Sequence, residues 1–494
     1  MNNKKAVFST LFCIFIAALF ILGCNNHLLK PQQDEPHLLV RIVNSTGARN
    51  ATTTGEWQIS AWIENQNGTE SHHQNVTSAS GSKVSITFDD LVIGSQINIH
   101  LELTKIDDTQ TKFTGESGWT TIKEGVNVVT IVLYDPAVGL SWADSTLTIY
   151  NETGLINFRK IVNGDVSTSA PITVGDKTFS GQDRTVNARL AADIELTEDW
   201  TPIANNSTYP YAGTFDGAGH TVSGINVTGG GNPKGFFGSI GTNKAIIKNL
   251  TVEGTVDVSY YAGGIAGYVD GGTIEYCVNK INVTSTTTTG TGGIAGYIAG
   301  SGATITGCVN FGAVQGNNYT GGIAGSSYSN STTSPQIAHC INFGSVKTTD
   351  SSSKASGIYG FSVKTSDNIT NCANFGTITS SSSGSGAGIT NTDNYLTIQY
   401  CLSAGEINAT KIYTITSSTS GTQTKNYYDS SKITGATTTG GTGKTTSALK
   451  VASASSLDSS WSTNWSFASG RYPLPNIQDN ILPEIWTEIE NSVK

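Results

Sequence analysis

The amino-acid sequence predicts an all-β protein in which a small β-sandwich precedes a parallel β-solenoid. Apolar and polar residues alternate with period two between positions 38 and 135, as they do in half-buried strands. A short glycine-rich motif then recurs with a spacing of 29 residues, and such spacings are typical of repeat architectures. Glycine fills 56 of 494 positions and proline only 11, which favours tight turns and close backbone contacts over a proline-rich linker.

Residues 1–23 have the features of a lipoprotein signal peptide. Two lysines precede an apolar run that is too short for a membrane span, and the run ends at Ile21-Leu22-Gly23-Cys24, which resembles the bacterial lipobox. The resemblance implies that Cys24 is lipidated and anchors the chain to a membrane; the alternative is an uncleaved anchor in which Cys24 has no role. Residues 24–37 are predicted to be a polar tether. By analogy with other diderm lipoproteins, Asn25 favours the outer membrane, with the protein exposed at the cell surface.

Residues 38–135 are predicted to fold as an immunoglobulin-like β-sandwich. The alternation is clearest at Trp57, Ile59, Ala61 and Ile63, and again at Ile97, Ile99, Leu101 and Leu103. Turn-forming stretches separate these segments. His72 and His73 are adjacent, but Glu70 is the only carboxylate close by and no cysteine is near, so an exposed loop is favoured over a metal site. We expect this domain to act as a spacer.

Two motifs recur with matching spacing in the region after the predicted sandwich. The first is a four-residue motif bounded by glycines, and it begins at Gly235, Gly264, Gly293, Gly322 and Gly357. The second places a cysteine two residues before an asparagine, at Cys277 and Asn279, Cys308 and Asn310, Cys340 and Asn342, and Cys372 and Asn374. Each unit contains three short apolar segments separated by glycine or asparagine corners, which predicts a solenoid with three strands in each coil. The glycines are expected to adopt positive φ at bends and to let neighbouring backbones approach.

Equivalent side chains of successive coils are expected to stack, because neighbouring parallel strands lie about 4.8 Å apart. The asparagines would then form an amide ladder at one corner. The cysteines share their register with Leu250 and Cys401, which favours an inward-facing column of buried free thiols. Disulfides and a metal array are the alternatives, and an odd number of cysteines in an exported protein would leave one unpaired.

Residues upstream of the repeats carry a resemblance to a known family. Asp193-Ile194-Glu195-Leu196, Trp200-Thr201-Pro202-Ile203 and a turn resemble the GLUG-motif repeats of bacterial surface proteins; the turn contains Phe215, Asp216, Gly217, Gly219 and His220. The resemblance covers residues 142–477 and implies a right-handed parallel β-helix like the pectin-lyase fold. Such repeats occur in adhesin-like surface proteins and in non-catalytic regions of some IgA-specific metallopeptidases. For His220 and Asp216, a hydrogen-bonded or stacked corner is favoured over a catalytic base.

Both ends of a solenoid need covers, because open coils expose strand edges. At the start, apolar residues at helical spacing predict a capping helix with Thr153 as N-cap and Gly164 at its C-terminal end; they are Leu155, Phe158, Ile161 and Val162. At the other end, an aromatic-rich segment is predicted to be the closing coil; it contains Trp461, Trp465, Phe467, Tyr472 and Leu474. Residues 478–494 are predicted to be a capping tail with a short helix that begins at Pro483. A carbohydrate-binding platform is the functional alternative for the tryptophans.

The distribution of charge argues against nucleic-acid binding and catalysis. A net charge of −9 leaves no basic surplus for a phosphate backbone. The chain has no arginine from position 190 through 470. Its acids are scattered, whereas glycosidases need paired carboxylates and lyases need a basic proton acceptor; the acids include Asp216, Asp270, Glu275, Asp367 and Asp393. We therefore expect the protein not to be an enzyme, with no catalytic residues, no cofactor and no metal.

The expected function is adhesin-like binding of a host protein or glycan by a monomer attached to the membrane through Cys24. This expectation rests on fold and location. A polysaccharide lyase or glycosidase and a purely structural spacer of the cell envelope are the alternatives.

Overall fold

The computed structural model describes residues 37–44, 57–78, 88, 91–106, 112–117, 119–123, 126–241, 244–286, 290–299, 302–327, 335–362, 367–392, 396–437 and 439–494. The predicted signal peptide, Cys24, almost all of the predicted tether and Asp393 lie outside these residues. The chain divides into two compact units, Met1–Asp144 with Ile172–Thr178, and Ser145–Pro171 with Phe179–Lys494.

The first unit is built from β-strands. They are β1 (His37–Asn44), β2 (Trp57–Asn65), β3 (Glu70–Ser78), β4 (Gln96–Lys105), β5 (Lys112–Glu116), β6 (Thr120–Thr121), β7 (Val126–Leu133) and β8 (Leu140–Ala143). An antiparallel sheet has the order β3-β2-β4-β5, with β6 also paired to β4, while β1 and β7 form a parallel pair. The predicted alternation is correct in β2 and β4, because Ile59, Ala61 and Ile63 are buried together with Ile99 and Leu101.

His72 and His73 lie in strand β3 and not in the predicted loop. Both side chains are exposed, and the ring of His73 stacks on Trp62 with centroids 6.2 Å apart. Ser71 and Gln74 pair with Ile63 and Ala61 of β2, and the register shifts between them, so His72, with a φ of 56°, and His73 lie at an irregularity of the strand. No cluster of three or more metal-binding side chains occurs among the described residues of the chain.

The second unit begins with helix α1 (Glu152–Asn163). A short pair of strands, Ile172–Val174 and Lys177–Phe179, comes after α1 in the chain, and its residues up to Thr178 belong to the first unit. The predicted apolar face of α1 is buried and contains Leu155, Phe158, Ile161 and Val162. The predicted N-cap is wrong, because the Asn151 side chain accepts a hydrogen bond from Gly154 N at 2.9 Å and Thr153 lies inside the first turn. Gly164 ends the helix with a φ of 84°, in the left-handed region that favours glycine.

The rest of this unit is a parallel β-solenoid, as predicted, and it has four sheets. Sheet 1 contains Thr146–Ile149, Asn187–Leu190, Thr214–Asp216, Ile246–Lys248, Thr273–Glu275, Thr304–Thr306, Gln336–Ala338, Asn368–Thr370, Leu396–Gln399 and Gly421–Thr424. Sheet 2 contains Ile194–Glu195, Thr221–Gly229, Thr251–Val258, Val278–Ser285, Val309–Asn310, Val314–Gly316, Ile341–Asn342, Val346–Thr348, Ala373–Asn374, Ile378–Thr379, Leu402–Ser403, Ile407–Asn408, Tyr427–Asp429 and Thr442–Lys444.

The other two sheets are shorter and form from strands that follow one another in each coil. Sheet 3 contains Ala262–Gly263, Thr291–Gly292, Tyr319–Gly321, Lys354–Ser356, Ser385–Ala387 and Lys411–Tyr413. Sheet 4 contains Phe237–Gly241, Ala266–Asp270, Ala295–Ile298, Ala324–Ser327, Tyr359–Ser362 and Thr390–Thr392.

A complete coil contains more strands than the predicted three. Residues 304–327 contribute one strand to sheet 1, two to sheet 2, one to sheet 3 and one to sheet 4. Phe311, Gly312 and Ala313 interrupt sheet 2, and Gly322 and Ile323 separate sheet 3 from sheet 4. The apolar pattern could not show these breaks, because each one falls at a residue that packs inside or against the coil.

Columns of identical residues fill the solenoid. In sheet 1 the column is in register and fully buried or nearly so; it contains Ile247, Ile274, Ile305, Ile337, Ile369 and Ile398. The glycine-bounded motif contributes a second buried column of Ile265, Ile294, Ile323, Ile358 and Ile389. Each added coil therefore buries side chains against its own copies.

The C-terminal segment, predicted to be a closing coil and a capping tail, packs against the apolar residues of sheet 2. Residues 446–494, here called the C-terminal strap, contain α2 (Thr446–Leu449), 3-10 helices at Ala454–Ser456, Ser459–Thr463 and Gln478–Asn480, paired strands Trp465–Ser466 and Leu474–Pro475, and α3 (Pro483–Asn491). The strap packs along the side of the solenoid on a row of sheet 2 residues, Val278, Val309, Ile341, Ala373 and Leu402. The row is apolar on its outer face and needs this cover.

The strap runs back along the coils. Trp461 Nε1 donates to Lys425 O at 2.9 Å, the Tyr472 ring lies 5.4 Å from Phe375, and Glu488 Oε2 lies 2.9 Å from Lys280 Nζ. These partners fall on successively earlier coils. Within the described residues no helix has the length and hydropathy needed to cross a membrane.

Candidate functional site

The four repeated asparagines form a continuous buried ladder. Asn279 Nδ2 donates to Asn310 Oδ1 at 2.7 Å, and the same bond joins Asn310 to Asn342 and Asn342 to Asn374, each at 2.8 Å. Each amide also donates to a backbone carbonyl two residues ahead, as Asn310 does to Gly312 O at 2.9 Å. Because all four residues are fully buried, these bonds satisfy amides that could not reach water.

The repeated glycines make room for this ladder. None of Gly235, Gly264, Gly293, Gly322 and Gly357 has a positive φ, so that part of the expectation is wrong. A Cβ on Gly293 would lie 2.2 Å from Gly322 O and 2.4 Å from Asn310 Cγ. The motif therefore needs glycine because the next coil and the asparagine amide occupy the space of a side chain.

The cysteines form a column of buried free thiols. Cys277, Cys308, Cys340, Cys372 and Cys401 are fully buried and unbonded to one another. Each thiol has two carbonyl oxygens within hydrogen-bonding distance of its single proton; Cys308 Sγ lies 3.6 Å from Ile274 O and 3.4 Å from Thr306 O. Burial raises the pKa of the Cys277 and Cys308 thiols well above the ordinary value, so both stay protonated at neutral pH.

The predicted turn motif is a structural corner. Phe215 is fully buried and packs on Phe158, with ring centroids 5.6 Å apart. Asp216 Oδ1 accepts a hydrogen bond from Ala218 N at 2.9 Å, and a Cβ on Gly217 would lie 2.4 Å from Asn249 O.

His220 pairs with Asp193 and not with Asp216. Its Nδ1 lies 3.1 Å from Asp193 Oδ1. Asp193 also accepts a hydrogen bond from Thr221 N at 2.9 Å, so it holds both ends of the turn that contains Gly219. Asp193 precedes the first strand of sheet 2, so only the coiling of the chain brings it to His220.

Trp461 and Trp465 do not form an exposed carbohydrate platform. Trp461 is fully buried and Trp465 is 2% exposed, with ring centroids 4.2 Å apart. Their indole N–H groups are used within the chain, because Trp465 Nε1 lies 3.3 Å from Asn371 Oδ1 and Trp461 Nε1 donates to Lys425 O. They fix the strap.

One corner that sequence reasoning missed carries a column of non-glycine residues in the left-handed region. Asn249, Tyr276, His339, Asn371 and Tyr400 have φ between 52° and 57°. Each directly precedes Leu250 or a cysteine of the thiol column, and Gly307 holds the equivalent place before Cys308 with a φ of 62°. Such residues cost of order 1–3 kcal/mol each, so the surrounding coils must hold them in place. Their repeated position before the cysteine was the available signal.

A second feature that was not located from sequence is a cluster of four tyrosines, here called the tyrosine cluster: Tyr260, Tyr261, Tyr268 and Tyr297. Tyr268 and Tyr297 occupy the same register in adjacent strands of sheet 4, and their rings are nearly parallel, with centroids 5.7 Å apart. Tyr261 comes from the turn before sheet 3 and lies 4.6 Å from Tyr297. Tyr260, Tyr261 and Tyr268 are half-buried. The signal in the sequence is Ala-Gly-Tyr in two successive repeats.

The tyrosine cluster is neutral and can both stack and donate hydrogen bonds. Burial raises the pKa of Tyr268, and the Asp270 carboxylate and the neighbouring phenols raise it further. The phenol therefore keeps its proton at neutral pH. Half-buried tyrosines combine a large apolar ring with a polar tip, which suits them to binding amphipathic surfaces such as sugars.

The aromatic face continues along the same two sheets. Phe361 occupies the register of Tyr268 and Tyr297 two coils further on, and its ring stacks on Tyr319 with centroids 4.5 Å apart. Lys354 Nζ lies 3.8 Å from the Phe361 ring centroid, within cation–π distance.

Comparisons with known proteins yield distant similarities. No family model matches the chain. A segment is 26% identical over 203 residues to Halomucin of Haloquadratum walsbyi, covering 35% of this chain and 2% of that protein. The fold is similar to a solved candidate immunoglobulin A1 protease of Bacteroides ovatus, with a TM-score of 0.48, 22% identity, and coverage of 68% of this chain and 93% of that one. It is also similar to a structure described as IgA1 protease, with a TM-score of 0.40, 14% identity, and coverage of 76% of this chain and 29% of that one.

These findings contradict the expectation that the chain is not an enzyme, because both solved structures are described as proteases, and we withdraw that expectation. At identities of 22% and 14% the likeness concerns the fold alone and assigns no catalytic residue to this chain. The chain spans about 2% of the length of Halomucin, so that protein's properties do not transfer as a whole.

Proposed function

We propose that this protein is a bacterial surface lipoprotein that binds glycans carried by host molecules, in the manner of an adhesin. In this proposal Cys24 carries the lipid, the outer membrane is the site of attachment, the first unit acts as a spacer, and the GLUG-type repeats form the binding region of a monomer. The single observation that supports binding is the tyrosine cluster. Its stacked rings and protonated hydroxyls lie on one face of the solenoid.

Aromatic rings at a sugar-binding surface contact the apolar faces of sugar rings, while hydroxyl groups bond to the sugar hydroxyls. Tyr260, Tyr261 and Tyr268 are half-buried and offer part of their rings to a glycan, while the Tyr297 ring, only 8% exposed, stacks on Tyr261 and Tyr268 and holds them in place. Several weak contacts of this kind add through multivalency on a crowded surface.

The test uses the full-length lipoprotein in detergent on a glycan array and on immobilised host glycoproteins, including immunoglobulin A1. Replacement of Tyr268 and Tyr297 by alanine is expected to abolish binding, and replacement by phenylalanine to retain part of it, because the rings remain. The matched control is Tyr209→Ala, which removes a tyrosine that is 49% exposed outside the cluster. Equal binding by the alanine variant would overturn the proposal.

The same samples test whether this chain cleaves immunoglobulin A1, the activity named in the descriptions of the solved structures. Intact immunoglobulin A1 after incubation is expected under a binding function, and its cleavage by the purified chain would replace that function with proteolysis. Cys24→Ala tests the anchor separately: the variant is expected to leave the membrane fraction, and unchanged fractionation would refute lipidation at that residue.

A further inference from the structure

A groove lies between the C-terminal strap and the first coils of the solenoid. Its volume is about 480 Å³, within the usual range for small-molecule sites. The strap contributes Asp479–Pro483 to one wall, and coil residues from sheet 1 and its following corner form the other, including Arg189, Asp216, Asn249 and Tyr276. We call this the strap groove.

Arg189 is the cation that lines the strap groove, and the carboxylates of Asp216 and Asp479 line the groove as well. On sheet 1 it begins a row of alternating charge, one residue per coil, followed by Asp216, Lys248 and Glu275. Lys248 Nζ lies 3.5 Å from Asp216 Oδ2, and Ala218 N donates to the same carboxylate, so the charge of Asp216 is compensated. The exposed side chain of Arg189 makes no ion pair or hydrogen bond with any residue that the structure describes. A planar guanidinium that makes no other ion pair can bind a carboxylate with two parallel hydrogen bonds.

The opposite part of the groove offers apolar contacts. Leu482 is 38% exposed, and it lies over Gly219, where a Cβ would be 3.0 Å from Leu482 Cδ2. The Tyr276 ring covers Gly307, where a Cβ would lie 2.5 Å from the ring, so its position is fixed by the coil beneath. An apolar ring face and an ionic group thus meet within one cavity.

The remaining lining is rich in groups that bond to hydroxyls. Asn249 and Asn480 supply amides and Thr251 supplies a hydroxyl. A ligand that uses the whole groove therefore has a carboxylate, several hydroxyls and an apolar face, and it is small enough to enter as a terminal group.

We propose that the strap groove binds the terminal acidic sugar of a glycan, with Arg189 bound to the sugar carboxylate, Asn249 and Asn480 to its hydroxyls, and Leu482 and Tyr276 against its ring. This inference rests on the proposed glycan-binding function and names the class of sugar that a second site recognises. The strap, which closes one wall of the groove, is then part of the binding site as well as a cover for the coils.

The experiment measures binding of sialyllactose, its methyl ester and lactose to the full-length lipoprotein by calorimetry. Sialyllactose is expected to bind at least tenfold more tightly than the two ligands that lack a free carboxylate. Arg189→Met is expected to remove this preference and Arg189→Lys to restore part of it. The matched control Lys347→Met removes an exposed cation from sheet 2, and is expected to leave binding unchanged.

Equal affinity for sialyllactose and its methyl ester, or full binding by Arg189→Met, would overturn the inference. So would a preference of the groove for a short peptide carboxylate over the sugar. Binding to the array that depends on Tyr268 but not on Arg189 would leave the proposed function standing without this site. If the tyrosine variants lose binding to the array but still bind sialyllactose, the strap groove binds its ligand independently of the tyrosine cluster.

Discussion

The coils and the C-terminal strap bury apolar surface in opposite ways. In a coil, a residue packs on its own copies one repeat away, as the asparagine ladder and the isoleucine column do. In the strap, each residue makes a contact that occurs once, such as Trp461 with Lys425 or Tyr472 with Phe375. A coil contact is therefore readable from the period of the sequence, whereas a strap contact is not. The two regions also differ in how damage should spread, because coil defects affect both neighbours and strap defects stay local.

Asn310→Ala is expected to have the largest effect. It leaves Asn279 Nδ2, Asn342 Oδ1 and Gly312 O without their buried partner. At about 1–3 kcal/mol for each of these three groups, the coils should lose roughly 3–9 kcal/mol. The rate at which a thiol reagent labels the buried cysteines measures the opening of the coils. Asn282→Ala, an exposed asparagine of the same region, is the control and should change that rate little; equal rates for both variants would show that the ladder does not hold the coils.

Trp461→Ala is expected to release the strap without opening the coils. The side chain is fully buried between Tyr427 and Trp465, and removing such a side chain costs about 3–5 kcal/mol. Limited proteolysis should cut the strap much faster than in the parent, while the thiols remain unlabelled. The control is Trp119→Ala, because Trp119 is 51% exposed. Simultaneous exposure of strap and thiols would mean that the two regions open as one.

Gly322→Ala is expected to cost about 1–3 kcal/mol, as overpacking does. The new Cβ would meet Gly357 O at 2.2 Å and Asn342 Cγ at 2.3 Å, so the backbone must shift. Urea unfolding followed by thiol exposure measures the loss. Gly181→Ala is matched to it, since a Cβ there meets nothing within 4 Å and φ is not positive. Chain entropy by itself favours alanine, so an equal loss at both glycines would mean that the coil contact is not its cause.

His339 provides the smallest effect, which depends on pH. Burial lowers the pKa of His339, so the unfolded chain binds a proton more readily than the folded one. Stability should then fall as pH drops through the ordinary histidine value of about 6.5 and level off below the lowered pKa. His339→Asn keeps a residue that tolerates the left-handed region, and unfolding measured at pH 5 and pH 7.5 should lose this part of the pH dependence.

Much of the interior could be predicted from the sequence, and the outer features could not. The spacing of Asn310 and Asn342 places them one above the other once a coil is assumed, and the ladder follows from parallel register. The helix α1 was predicted from four apolar residues, although its N-cap was assigned to Thr153 and not to Asn151. The tyrosine cluster was visible only as two tyrosines in successive repeats, because Tyr260 and Tyr261 join it from the turn before sheet 3.

The sequence by itself determined the solenoid, because a period of 29 residues with in-register isoleucines and asparagines has a stable arrangement only when each coil stacks on the next. It also determined which positions must be glycine, although the reason, contact with the next coil and not positive φ, came from the structure. Only the tertiary structure decided where the strap lies and that Arg189 faces Asp479–Pro483 across a groove. These contacts join residues nearly 300 positions apart without a repeat to mark them, so no local pattern in the chain records their partners.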